Sequence, residues 1–325
     1  MTANVHYDDL HDRFIREINQ AIDLLTFGNN EAPRTGAEAK HNQPRYRNIV
    51  VAYDGRPGSE HALEWAKDIA AAHGAKVTVA SVFARPGLAD ATSMGFAWYP
   101  EYAQTYALLE SNTRKLADDA VEGLREANIE ARPHVVEGSV VREIADFAAK
   151  QHADLVIVGS PTKGRVKRVV LGSAATGLLG AAPCSVLIAR TPPRPARILA
   201  ATDGSHVSFR AVAHALHRAS ATDAELVVQH VINYPEEDIS DLPREGLLKA
   251  VAQRVQLPAA PPKVRYVLDV GEPDVRILLR ASEEEAGLIV LGSHGKGVLE
   301  RIFVGSTSRR VANGAHASVL IVKTP

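Results

Sequence analysis

The chain has 325 residues, a formal net charge of −1 and one cysteine. That length suggests about two domains, each long enough to bury a core, and near-neutrality argues against a strongly electrostatic nucleic-acid binder. The lone Cys184 excludes an internal disulfide; with no apolar run near about 18 residues and no charged-then-apolar leader, a cytoplasmic protein off the membrane is expected.

Residues 1–46 open with Leu10, Phe14, Ile15, Ile18, Ile22 and Leu25 at helical spacing between charged positions. The pattern predicts an amphipathic helix of about four to five turns, followed by a polar linker from Gly28 to Pro44. From residue 47 to 191 strands and helices alternate. Strand 48–53 leads to a helix from about Ser59 to His73, then strand 76–83. Arg85 to Tyr106, with Pro86, Gly87, Gly95, Phe96, Trp98, Tyr99 and Pro100, reads as a long loop, a lid or contact segment. The N-terminal helix and this loop are both apolar, and both are expected on an oligomer contact. A helix to about Asn128, strand 131–136, a helix from Ser139 to Gln151 and strand 154–158 lead to Gly159-Ser160-Pro161-Thr162-Lys163-Gly164, with Gly172 and Ser173 beyond. Ser185 to Ala189 closes the domain with Cys184 beside it, expected to be a buried structural thiol. Pro192, Pro193 and Pro195 make a short stiff junction.

The chain then repeats itself over 196–325. Ile49 to Gly55 matches Ile198 to Gly204 at an offset of 149, and Gly159, Ser160, Lys163, Gly164, Arg168, Gly172 and Ser173 recur as Gly292, Ser293, Lys296, Gly297, Arg301, Gly305 and Ser306 at an offset of 133. The difference, 149 − 133 = 16, places extra residues in the first copy, mostly in the 85–106 loop. The second copy reads as strand 197–202, helix 208–219, strand 225–231, helix about 243–255, strand 263–269, helix 274–285, strand 288–291, helix 306–313 and strand 318–323. Alternating apolar strands and helices predict, in each repeat, a mostly parallel five-stranded Rossmann-like sheet with helices on both faces. Ligands in such sheets bind beyond the strand carboxyl ends, where Asp54, Asp203 and both glycine loops fall. Glycines at 292, 295, 297 and 305 permit close backbone approach, and Ser306, Thr307 and Ser308 bring hydroxyls and N–H groups to a helix start, a recipe for phosphate.

These residues resemble the universal stress protein family in its tandem form, whose nucleotide signature is glycine, two residues, glycine, nine residues, glycine and serine or threonine. Gly292, Gly295, Gly305 and Ser306 match it at every fixed position; Asp203, the Gly271-Glu272-Pro273 turn and the terminal Ser318 to Val322 strand look like the family too. The resemblance implies a stress-response protein that binds ATP, AMP or ADP, with magnesium, and works as a homodimer. It implicates Asp203 and Val231 around adenosine and Gly292, Gly295, Gly305, Ser306, Thr307 and Ser308 around phosphate, with Ala201 and Leu291 at the adjoining strand ends. The two terminal strands, Val186–Ala189 and Val319–Lys323, resemble the family's edge strand exchanged across a dimer, so linked repeats are expected to make that exchange internally and form one compact unit.

The first repeat departs from the signature. Thr162 replaces the second glycine and Ala174-Ala175 replace Thr307-Ser308, removing backbone freedom and hydroxyl donors from a degenerate second site at Asp54, Gly159, Gly172 and Ser173. Lys163, Arg165, Lys167 and Arg168 keep that loop basic, which fits an anion held differently or a solvated loop equally well. Binding is therefore expected mainly in the second repeat. Two alternatives stay open. One is a slow ATPase or other nucleotide-processing enzyme, for which His294 is the only nearby titratable group of suitable pKa; the other is a nucleotide-free dimerising scaffold. No Walker loop, Gly-x-Ser-x-Gly elbow or His-Glu-x-x-His metal motif occurs, no catalytic or metal residue is assigned, and His214 and His217, at i, i+3, read as a surface or structural pair.

Overall fold

The computed structural model describes residues 46–84, 100–160, 171–232, 262–293 and 304–323. The N-terminal extension, the helix expected near 243–255 and the middle of both glycine loops, with Thr162, Lys163, His294 and Gly295, lie outside the described residues.

The first repeat runs β1 (Asn48–Ala52), α1 (Pro57–His73), β2 (Lys76–Phe83), α2 (Pro100–Glu126), β3 (Ala131–Glu137), α3 (Val140–Lys150), β4 (Leu155–Gly159), α4 (Ser173–Ala181) and β5 (Ser185–Ala189). The second runs β6 (Arg197–Thr202), α5 (His206–Thr222), β7 (Glu225–Ile232), β8 (Val264–Val270), α6 (Pro273–Glu283), β9 (Leu288–Gly292), α7 (Ser306–Gly314) and β10 (Ser318–Val322). The strands are continuous apolar runs because helices cover both faces; Leu155, Val156 and Ile157 are 0% exposed. Helix α1 begins with Pro57 in its first turn, buries Ala62, Trp65, Ala66, Ile69 and Ala70 at helical spacing, and stops at Gly74 with φ 64°. Helix α2 starts at Pro100, inside the segment read from sequence as loop. The glycines and aromatics of 85–99 masked the helix-forming run that Pro100 opens.

Contacts divide the described chain into two compact units rather than one: residues 46–193 with 304 and 312–323, and residues 194–293 with 305–311. In the first the strand order is β3-β2-β1-β4-β5-β10. Strands β1 to β5 pair in parallel and β10 joins β5 antiparallel, Val319 opposite Ile188 and Ile321 opposite Val186. The pairing of the two terminal strands is thus as expected, with the consequence that the last strand of the second repeat belongs to the unit built on the first. In the other unit the order is β9-β6-β7-β8, all parallel. Each repeat returns across its first strand, so β1 lies between β2 and β4, and β6 between β7 and β9; both switch points open at the carboxyl ends that carry the aspartates and glycine loops.

Candidate functional site

In the second repeat the chain leaves β6 through Asp203 and Gly204, turns with φ 78° at Gly204, and enters α5. Asp203 Oδ1 accepts from Ser205 N at 3.0 Å, an Asx turn. Ser205 is the helix N-cap, its hydroxyl accepting from Ser208 N at 3.2 Å. Behind the turn lies a small hydroxyl network. Thr202 Oγ1 accepts from Gly204 N at 3.1 Å and shares a 2.9 Å hydrogen bond with Ser208 Oγ, which donates in turn to Ser205 O. The Asp203 carboxylate is therefore held by the turn rather than left to swing in solvent.

The other side is built from β9 and α7. Ala200 pairs with Val290, bringing Ala201 and Leu291 to the same level of the sheet. Gly292 ends β9 against the start of α5: a Cβ there would lie 3.1 Å from Ser208 N and 3.2 Å from Val207. Gly305 N donates to Ser293 O at 2.6 Å, and Ser308 Oγ donates to Gly292 O at 2.7 Å. The serines and threonine thus divide their roles. Ser308 is buried and ties α7 to the strand, whereas Ser306 is exposed and Thr307 half-exposed at the helix start. Amide groups in that first turn have no carbonyl of their own helix to bond and attract negative charge. Val231 lies one residue beyond the Thr202–His230 pair of the β6–β7 ladder, on the opposite flank. The structure brings together Ala201, Asp203, Leu291, Gly292, Gly305, Ser306, Thr307 and Ser308, with Val231 on the adjoining strand; Gly295 lies outside the described residues.

The equivalent place in the first repeat is built differently. Asp54 is exposed, its Oδ1 accepting from Arg56 N at 3.1 Å and its Oδ2 lying 3.6 Å from Arg56 Nε, so a cation stands where the second repeat has its N-cap serine. Tyr53 replaces Thr202 and donates its phenol to Glu60 at 2.6 Å; burial, then this bond, pushes its pKa up. The side chain of Leu116 on α2 crowds Gly55, 2.8 Å from where a Cβ would stand. Tyr106, from the same helix, packs its ring on Phe83 at 5.7 Å between centroids and donates to Glu137. Gly159 meets the start of α1 far more closely than Gly292 meets α5, with a Cβ falling 2.1 Å from Gly58 O. Gly172 caps α4 without a side-chain bond, Ser173 is exposed, and Ala175, where Ser308 should be, is fully buried and carries no hydroxyl.

Sequence reasoning missed His230. Its Nδ1 donates to Thr202 O at 2.7 Å, from the residue immediately before Val231. The signal was present in the repeat, because Ser81 occupies the same position and its hydroxyl donates to Tyr53 O at 2.8 Å. Also unread was a polar cluster beside β7 and β8: buried Gln229 Nε2 donates to Asp269 Oδ2 at 2.7 Å, and Arg280 clamps the same carboxylate at 2.7 and 3.1 Å. His217 is half-buried and burial holds its pKa down. Among the described residues no group of three or more His, Cys, Asp or Glu side chains is placed to hold a metal ion, and no helix is long and apolar enough to cross a membrane.

Comparison with known proteins places this geometry in context. The family model described as universal stress protein family matches residues 45–190 and again 196–323. Universal stress protein Rv2005c of Mycobacterium tuberculosis (strain H37Rv) is 28% identical over 309 residues, 87% of this chain and 99% of that protein. A universal stress protein of Mycolicibacterium smegmatis is 28% identical over 297 residues, 85% of this chain and 96% of its own. Among solved structures, a universal stress protein from Archaeoglobus fulgidus shares the fold with a TM-score of 0.66 at 22% identity, covering 85% of this chain and 98% of that one.

Proposed function

Because the chain belongs to the universal stress protein family, with both repeats matched, we propose that it is a stress-response protein that binds an adenine nucleotide, ATP foremost, in its second repeat and changes conformation or partner choice with occupancy. One observation supports this above the others: at the β6/β9 switch point a fixed aspartate, a strand-end glycine and an exposed serine at a helix start converge on one strand-end mouth. The donor set suits a nucleotide. The α7 first turn and the Ser306 hydroxyl offer donors for phosphate oxygens, Gly292 lets β9 end close against α5, and the Asp203 carboxylate can accept from ribose hydroxyls or the adenine amine. The bound nucleotide supplies charge and shape that α7 and the Asp203 turn read; magnesium accompanies the phosphates.

On this reading the first repeat holds little or no nucleotide. Arg56 competes for Asp54, Leu116 covers Gly55, Tyr106 covers Phe83, and Ala175 lacks the hydroxyl that ties the strand to the helix. The protein then acts in the cytoplasm as a homodimer whose contact lies away from β5, an edge already covered by β10. Calorimetric titration with ATP and magnesium tests the reading directly. The expected stoichiometry is near one per chain, and Asp203→Ala and Gly295→Val should each weaken binding by at least about tenfold. Two equal sites, or a Gly295→Val variant that binds like wild type, would refute it.

A further inference from the structure

From the pair of carbonyl clamps in the two repeats, we infer that His230 is a positioning residue for the candidate adenosine site, acting through Asp203 by holding the carbonyl of Thr202; this rests on the reading of the second repeat as the nucleotide site. A carbonyl can only accept, so the 2.7 Å bond to Thr202 O places a proton on His230 Nδ1. That oxygen belongs to the peptide that links Thr202 to Asp203. Fixing its plane fixes the backbone from which the carboxylate departs, at the last rung of the β6–β7 ladder, where Thr202 stands opposite His230. At that rung the imidazole adds a side-chain donor to the ladder.

The first repeat shows that the clamp is a feature of the turn and not of imidazole. Ser81 donates to Tyr53 O at 2.8 Å from the equivalent position, again before an aspartate, Asp54. The serine Oγ lies one bond nearer its backbone than the histidine Nδ1, yet both reach the carbonyl, at 2.8 and 2.7 Å, so either can hold it. The second repeat adds the inner hydroxyls of Thr202, Ser205 and Ser208, so the Asp203 turn is held from the strand side by His230 and from the helix side by Ser205. Removing His230 leaves Asp203 in place but its turn held from the helix side alone.

The test is a double-mutant cycle on ATP binding, by calorimetry with magnesium, using the full chain and checking each variant by circular dichroism. His230→Ala should weaken ATP about tenfold, and His230→Ser, which restores the donor found in the first repeat, should bind within about threefold of wild type. Asp203→Ala combined with His230→Ala should bind no more weakly than Asp203→Ala alone, because a residue acting through Asp203 has nothing left to position. Multiplicative losses in the double variant, or a His230→Ser variant as weak as His230→Ala, would show that the ring acts for itself or only supports the fold. Wild-type affinity in His230→Ala would overturn the inference and leave the nucleotide reading intact; absence of binding by wild type would overturn that reading, and the inference with it.

Discussion

At the scale of single residues, glycines that look alike in the sequence do different work. Gly159 and Gly292 occupy the same place in the repeat, yet a Cβ at Gly159 would lie 2.1 Å from Gly58 O and 2.5 Å from Ser59 N, whereas at Gly292 the nearest atom is 3.1 Å away. Backbone cannot retreat as a side chain can. Gly159→Ala should therefore cost about 3 kcal/mol, lowering the melting midpoint by roughly 6–12 °C, while Gly292→Ala should cost about 1 kcal/mol or less. Calorimetric melting of the two variants checks the difference; equal losses would mean that the α1–β4 contact relaxes freely. Cys184, expected to be buried, is only half-buried, yet its environment still sets its chemistry. Burial pushes its thiol up to about 12, with Lys323 opposing as a smaller effect. The native thiol should resist alkylation at pH 8 and react once urea unfolds the chain. The raised value also has a pH consequence. Between about 9 and 12 the unfolded thiol loses its proton and the folded one keeps it, so the stability this group contributes is complete below pH 9 and falls as pH rises. Urea unfolding at pH 7 and pH 10 should show wild type losing about 1 kcal/mol more than Cys184→Ala.

At the scale of elements, the seam of β5 with β10 is an approximate two-fold written in polar groups. The cation after each strand reaches a helix end of the other repeat: Arg190 donates to Ala312 O at 2.6 Å and Ala317 O at 3.3 Å, and Lys323 donates to Ala182 O at 2.7 Å. Carbonyls at a helix C-terminus lack partners within the helix and carry partial negative charge, so buried cations are tolerated there. Burial still holds the Arg190 guanidinium down to about 10 and the Lys323 amine below its usual range. The serines that open the strands are less equal. Ser318 Oγ accepts from Arg190 N and Thr191 N at 3.0 and 3.1 Å and bonds Thr191 Oγ1 at 2.9 Å, while Ser185 Oγ accepts from Lys323 N at 3.2 Å. Ser318→Ala should cost about 3 kcal/mol and Ser185→Ala about 1 kcal/mol in urea unfolding; the reverse order would mean the seam leans on its other half. The same contrast shows what the sequence could reveal. Apolar runs such as Leu155 to Val158 announced the strands because both faces are buried, and the glycine spacing at 292 to 305 pointed to the proposed site because a phosphate-binding loop needs such residues close together in the chain. Contacts such as Arg190 with Ala312, 122 residues apart, or Gly159 with Gly58, leave no local pattern, since what makes each residue necessary arrives only with the fold.

At the scale of the whole molecule, sequence repeats and compact units do not coincide. The repeats divide near the prolines at 192–195, but residues 312–323 cluster with the first repeat. A fragment cut at the repeat boundary, residues 46–193, therefore loses β10, the acceptors of Arg190 and the hydroxyl of Ser318. What remains is an open edge at β5, Ser-Val-Leu-Ile-Ala, all of it buried in the intact chain. An uncovered apolar edge strand pairs with whatever strand it meets. Light scattering of the fragment should report dimers or larger species, and a synthetic peptide spanning residues 304–323 should return it to a monomer by supplying the missing strand. The peptide is the sharper half of the experiment, because it separates a fragment that merely misfolds from one that lacks a specific partner. A fragment that stays monomeric and folded without the peptide would mean that β10 is dispensable to the unit it joins, and that the repeat boundary is also the boundary of folding.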